Sequence, residues 1–224
     1  MKKIIAIFLI SYFGFAQNKD NNQFKIQISA IPSFSNFNNS GLNNYLKDNN
    51  LPLVENGLIF TPSFSILSKP FSDESLFMNL VIGINNSKSN KNNLELEQNI
   101  IISELGICKY FIQKNKKYLF AGLGMGSVSQ NIVITNQILS TTDAVQNIEG
   151  ALKISSKSKL NEYVSINTGF DWAIDSKEDI LIGIRLSYRI SFEDNDWSIN
   201  NKNVTEISKT NANGFSFGLA LSMR

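Results

Sequence analysis

Beyond residue 22 the chain alternates apolar and polar side chains with the period of two that a β-strand imposes. Phe24, Ile26, Ile28 and Ala30 share one parity, with Lys25, Gln27 and Ser29 on the other. Leu58, Phe60, Phe64 and Ile66 mark a second strand, Leu76 to Ile84 a third, and Ile101, Leu105, Ile107 and Phe111 a fourth. A fifth, from about Tyr118 to Val128, sets Leu119, Leu123 and Met125 against Gly122, Gly124 and Gly126. Val164, Ile166, Phe170, Trp172 and Ile174 carry a sixth, the even positions from Ile180 to Phe192 a seventh, and the odd positions from Phe215 to Met223 an eighth.

Most of these segments run about 10–13 residues, the length a tilted strand needs to cross a hydrocarbon layer, and their number is even. The pattern predicts an all-β fold, an antiparallel up-and-down transmembrane β-barrel of eight strands. Long connections at 35–56, 132–161 and 193–212, with a polar one at 87–95, alternate with short turns at 69–73, 113–117 and 175–179. Long outer loops and tight periplasmic turns are what such a barrel shows. Gly41 to Leu51 predicts a short helix, read as an ornament of the first loop. A hairpin within 145–160 would raise the count to ten strands.

The start of the chain differs. Lys2 and Lys3 precede an apolar run from Ile4 to Phe15, and Gly14 and Ala16 are small enough for signal peptidase. Residues 1–16 are therefore expected to be a cleavable signal peptide and 17–224 the barrel domain. No later stretch has the roughly 18 continuous apolar residues of a membrane helix. A bilayer would have to be crossed by strands closed into a barrel, where every backbone polar group finds a partner.

Charge and composition exclude more than they assign. There are 21 basic and 19 acidic residues, a net of +2, and no dense basic run beyond residue 3, so no nucleic-acid partner is expected. Cys108 is the one cysteine, so no internal disulfide can form. Histidine is absent, which removes the usual Cys/His zinc sites and the imidazole base of a Ser–His or Asp–His mechanism. No enzyme activity, cofactor or metal is expected.

Glu104, Asp171, Arg185 and Arg189 all fall on the polar parity of their strands. They are the candidate site: either an ionic plug, with Glu104 and Asp171 as partners of the two arginines, or a selectivity cluster for a solute. An eight-stranded barrel is only just wide enough for side chains to fill, which favours the plug. Gly122, Gly124 and Gly126 alternate inside a strand, unlike the turn and helix of a phosphate loop. They and Cys108 read as small residues on a crowded inner face.

The hairpin of Tyr163–Ile174 and Ile180–Phe192, with Gly-Ile-Arg-Leu-Ser-Tyr-Arg at 183–189, the strand beginning Gly214-Phe215-Ser216-Phe217-Gly218-Leu219, and the Ala16–Gln17 junction resemble the small outer-membrane β-barrel proteins of the Bacteroidetes, akin to OmpX/OmpA-type eight-stranded barrels. The resemblance covers nearly the whole mature chain as a pattern. It implies an outer-membrane location, lipid around the barrel, and the barrel assembly machinery as a partner during insertion. Met223-Arg224 departs from the terminal aromatic residue that this machinery reads. The leading functional reading is a non-enzymatic structural or surface-interaction barrel, any ligand being held by its extracellular loops. A narrow porin-like channel and a soluble lipocalin-like periplasmic barrel remain alternatives.

Overall fold

The computed structural model describes residues 26–68, 75–136, 152–156, 161–194, 196–200, 202–204 and 207–224. The expected signal peptide and the turn at 69–73 lie outside the described residues.

Eight antiparallel staves close on themselves. The first is β1 (Ile26–Ile31) continued by β2 (Ser33–Phe37), and the second is β3 (Gly57–Phe60) continued by β4 (Ser63–Ser68). Pro32 and Pro62 make the two breaks, because proline has no N–H to give a ladder. Each still offers its carbonyl, Pro32 to the Leu219 N–H at 3.2 Å and Pro62 to the Ile84 N–H at 3.1 Å. The chain continues with β5 (Leu76–Lys91), β6 (Leu94–Lys114), β7 (Lys117–Asn136), β8 (Leu152–Ser156), β9 (Asn161–Ala173), β10 (Ile180–Ser191), β11 (Trp197–Ile199), β12 (Lys202–Val204) and β13 (Gly214–Met223). β7 pairs with β9, and β13 with β1 and β2, which seals the barrel. Followed once around, the ladder leads from Lys117 through Trp172, Ile182, Leu221, Ala30, Phe64, Ile82 and Ser103 back to β7 at Ser127, ten residues further on. Eight strands with that stagger tilt by roughly 40°.

The apolar parity faces outward. All seven even residues from Ile180 to Phe192 are exposed, as are Phe34, Phe64, Leu123 and Leu219. Tilted by about 40°, that run on β10 spans roughly 30 Å, enough for the hydrocarbon core of a bilayer. A soluble lipocalin-like barrel would turn this face inward, so that alternative is set aside. Arg at Ile184, well inside the belt, is expected to destabilise the barrel by about 2–4 kcal/mol, and Arg at Ile180, beside the turn, by only about 0–1 kcal/mol. Urea unfolding in lipid vesicles measures both, and equal losses would contradict the outward assignment.

The connections depart most from the sequence reading. Residues 87–95 are not a polar loop. β5 and β6 run on as a hairpin that turns at Asn92 and Asn93, whose φ of 51° and 61° suit a two-residue turn. The outer face there is polar because it lies beyond the apolar belt, while Leu96 and Ile100 still point inward. β8 pairs with the extended end of β7, then β11 with β8 and β12 with β11. These three strands widen the sheet past the barrel rim without adding staves, so the ten-strand alternative does not hold. At the other end, the β6–β7 turn has Asn115 and Lys116 at positive φ. The turn after β9 is tied by Asp175, which accepts the N–H groups of Ile180, Lys177 and Asp179. The Ile180 and Asp179 bonds hold its carboxyl below the ordinary value.

Candidate functional site: a layered lumen

The inner parity is short on one side of the barrel and long on the other. β1, β2, β4 and β13 present serines: Ser29 and Ser222 share a hydrogen bond of 2.8 Å, and Ser33 and Ser63 one of 3.0 Å. β6, β7, β9 and β10 send in charged and aromatic groups, joined by Phe77 of β5 and Phe37 of β2. Small residues facing large ones fill the tapered space.

From the turn end upward the lumen is stacked in layers. The floor is aromatic: Phe77 packs on Tyr110 with ring centroids 4.5 Å apart and on Phe120 at 5.3 Å, with Leu67, Cys108 and Leu181 around them. Beneath it, the Arg224 guanidinium lies 4.1 Å from the Tyr118 ring and donates to Gln27 at 3.0 Å. Tyr118 donates its hydroxyl to Glu178. Above the floor, Arg185 forks onto Asp171, Nη1 to Oδ1 at 2.6 Å and Nη2 to Oδ2 at 3.0 Å, with its Cζ 5.0 Å from the Phe120 ring. Asp171 is completely buried. Gly183 is required beside it, since a Cβ there would stand 2.1 Å from Asp171 Oδ1.

Glu104 forms the next layer. Its carboxylate accepts from Asn167 Nδ2 at 2.6 Å and from the Tyr163 hydroxyl at 3.0 Å. Gly124 leaves room for it, because a Cβ there would meet Oε1 at 2.6 Å. Arg189 lies higher still. It donates to the carbonyls of Ala212 at 3.2 Å and Asn36 at 3.1 Å, and its guanidinium sits 5.1 Å from the Phe37 ring and 5.9 Å from that of Tyr163. Between this charged wall and the serines lies a cavity of about 70 Å³. Ser65 Oγ, Asn79 Oδ1 and Ser187 Oγ, on its lining, have no hydrogen-bond partner among the described residues, which suits a wet pocket with room for a few waters.

The loop end is roofed. Helix α1 (Ser40–Asp48) drives Leu42 and Leu46, 1% and 0% exposed, into a core with Val54, Leu96, Ile132, Ile154, Trp197 and Ile207. Asn43 fastens the helix to the descending chain, giving Nδ2 to the Val54 carbonyl and receiving the Val54 N–H, both at 3.0 Å. Glu55 N–H then reaches Gln98 inside the barrel at 3.0 Å. The helix expected as a loop ornament is thus the keystone of a second hydrophobic core beyond the membrane belt.

No family model and no curated protein matches the sequence. Solved structures do share the fold. OprG of Pseudomonas aeruginosa superposes with a TM-score of 0.50 at 11% identity, over 88% of this chain and 94% of that one. AlkL, solved in lipid bilayers, gives 0.47 at 13% identity over 92% of each chain, and the Neisserial surface protein NspA 0.44 at 12% over 91% and 97%. A closed eight-stranded β-barrel is what the chain shares with OprG. It has the fold of the outer-membrane β-barrels. At such low identities the likeness concerns the fold alone, and the lumen must be read from its own residues.

Of the four site residues singled out from sequence, all lie in the lumen, but only Arg185 and Asp171 are joined. Glu104 bonds neither arginine, and Arg189 bonds carbonyl groups and rests against rings. Cross-strand depth decides this. Asp171 pairs with Gly183, two positions from Arg185, whereas Glu104 is level with Gly126 and, across it, Tyr163. Tyr163 and Asn167, unassigned in the sequence reading, share the parity of Asp171 on β9. That parity was the signal that could have found them.

Proposed function

We propose that the protein is a non-enzymatic, non-conducting barrel that presents a rigid structure at the cell surface for interaction with another molecule. The observation that carries this reading is the roof: α1 seats Leu42 and Leu46 in a dry core across the barrel mouth, above a lumen already crossed by an aromatic floor and an Arg–Asp pair. Loops that only solvate a pore have no need of such a core. The surface raised this way is polar. Asn86, Asn99 and Asn131 lie in one register row on the outward face of β5, β6 and β7, flanked by the Lys88–Glu95 ion pair at 2.7 Å. Binding sites commonly sit where a rigid scaffold holds its connections. Single-channel recording in planar bilayers tests the reading. Current at background is expected, and discrete conductance steps would replace it with the channel alternative.

A further inference from the structure

A groove of about 440 Å³ runs along the outer surface of β9, β10 and β13. Phe170, Trp172, Ile182, Ile184, Leu219 and Leu221 wall it, and among the described residues no charged side chain lines it. Its origin lies in the neighbouring stave. Leu221 pairs with Ala30, and the Leu219 N–H is bonded to Pro32, so a methyl group and a proline ring stand where Ile28 and Phe34 on either side are bulky. The wall drops there, and the larger side chains opposite form the other bank.

The groove has a distinct end. β9 stops at Ala173, one residue past Trp172, and β10 starts at Ile180, two before Ile182, so the groove opens towards the turn end of the barrel. There Trp172 stands in register with Lys117, which is exposed and pairs with no acidic side chain among the described residues. Lys114, Lys116 and Lys177 are exposed in the same two turns. Of the acidic groups in these turns, Asp175 is held by backbone N–H groups and Glu178 by the Tyr118 hydroxyl, which leaves the exposed Asp179 against four lysines. An indole at the border of an apolar groove, with an unpaired ammonium beside it, is the arrangement found where a membrane meets water.

We propose that this groove holds an acyl chain of an anionic glycerophospholipid, with the headgroup at the turn end against Lys117. At this depth hydrocarbon is the solvent, so an apolar groove is filled by lipid. The lysine adds a preference for negative charge among the lipids that can fill it. The proposal is independent of whether the lumen conducts.

The two tryptophans of the chain make it testable. Trp172 is 52% exposed on the groove, while Trp197 is 1% exposed in the roof. In phosphatidylcholine vesicles doped with acyl-brominated lipid, quenching therefore reports on Trp172, with Trp172→Phe supplying the background. Brominated phosphatidylglycerol is expected to reach half-maximal quenching at about a five-fold lower mole fraction than brominated phosphatidylcholine, the share of one lysine at a membrane surface. Lys117→Gln should abolish that preference, and Ile182→Phe, which fills the groove while staying apolar, should lower the quenching plateau. Equal quenching by both lipids, or an unchanged preference in Lys117→Gln, would overturn the proposal. So would an unquenched Trp172 in a protein that sediments as a dimer, which would give the groove to a second copy.

Discussion

Replacing Asp171 by Asn is expected to destabilise the folded barrel by about 3–5 kcal/mol, the loss that follows when one member of a buried ion pair is left without the other. Arg185 meets water only at the small lumen cavity, too small to hydrate a free guanidinium fully. Its side chain is 13% exposed, it is forked onto Asp171, and the Phe120 ring lies 5.0 Å beneath it. The asparagine keeps the volume of Asp171, so crowding against Gly183 does not change and the loss reports charge. Arg185→Met should cost a similar amount by stranding the carboxylate. The double variant should lose less than the sum, with a coupling of about 0.5–3 kcal/mol. Glu104→Gln combined with Arg185→Met should be additive, because the partners of Glu104 are Tyr163 and Asn167. Urea unfolding in lipid vesicles of these four variants and of Glu104→Gln alone measures the losses. Additive losses for Asp171 and Arg185 would mean that water screens the pair, as it does for exposed ion pairs worth about 0–1 kcal/mol.

That pair shows how far the sequence carried. Parity alone put Asp171 and Arg185 on the inner face, because Trp172, Ile184 and Leu186 beside them need the apolar side. A turn of known length between β9 and β10 then placed them at nearly the same depth. Glu104 has no such local tether. Its depth relative to β10 depends on how the whole ladder is staggered, and a stagger of ten residues around eight staves is a property of closure that no single segment encodes. The outer connections were misread for a related reason. Lys88 and Asn90 look like loop residues when the outward face is assumed to meet hydrocarbon. Beyond the belt that face meets water, so strand continues with polar residues outside and Leu96 and Ile100 still inside. The helix at 40–48 was legible as a helix. Its burial was not, because apart from Val54 the buried residues that cover Leu42 and Leu46 come from β6, β7, β8, β11 and the segment at Ile207, all distant in sequence.

The second large effect is expected at the floor. Phe120→Ala should cost about 3–5 kcal/mol, the range for truncating a buried aromatic ring. Phe120 is 1% exposed, it meets the edges of Phe77 at 5.3 Å and Tyr110 at 5.9 Å, and it carries the Arg185 guanidinium on its face. Truncation therefore opens a cavity and also removes the shelf under the ion pair. The sequence makes room for this ring with Gly169, its partner across the β7–β9 ladder. A Cβ at Gly169 would stand 2.4 Å from Phe120 Cζ, so Gly169→Ala should itself cost about 1–3 kcal/mol by overpacking. The two residues are then coupled in a definite sense. In a Phe120→Leu background the clashing ring atoms are gone, and the closest remaining approach of the new methyl is to the Ile184 carbonyl at 3.0 Å, tight but short of a clash. Gly169→Ala should be distinctly cheaper there than in the wild type. Unfolding in vesicles of the two single variants and the double variant measures the difference. If Gly169→Ala costs the same in both backgrounds, the strand and not the ring requires the glycine, and the floor is not locked by Phe120.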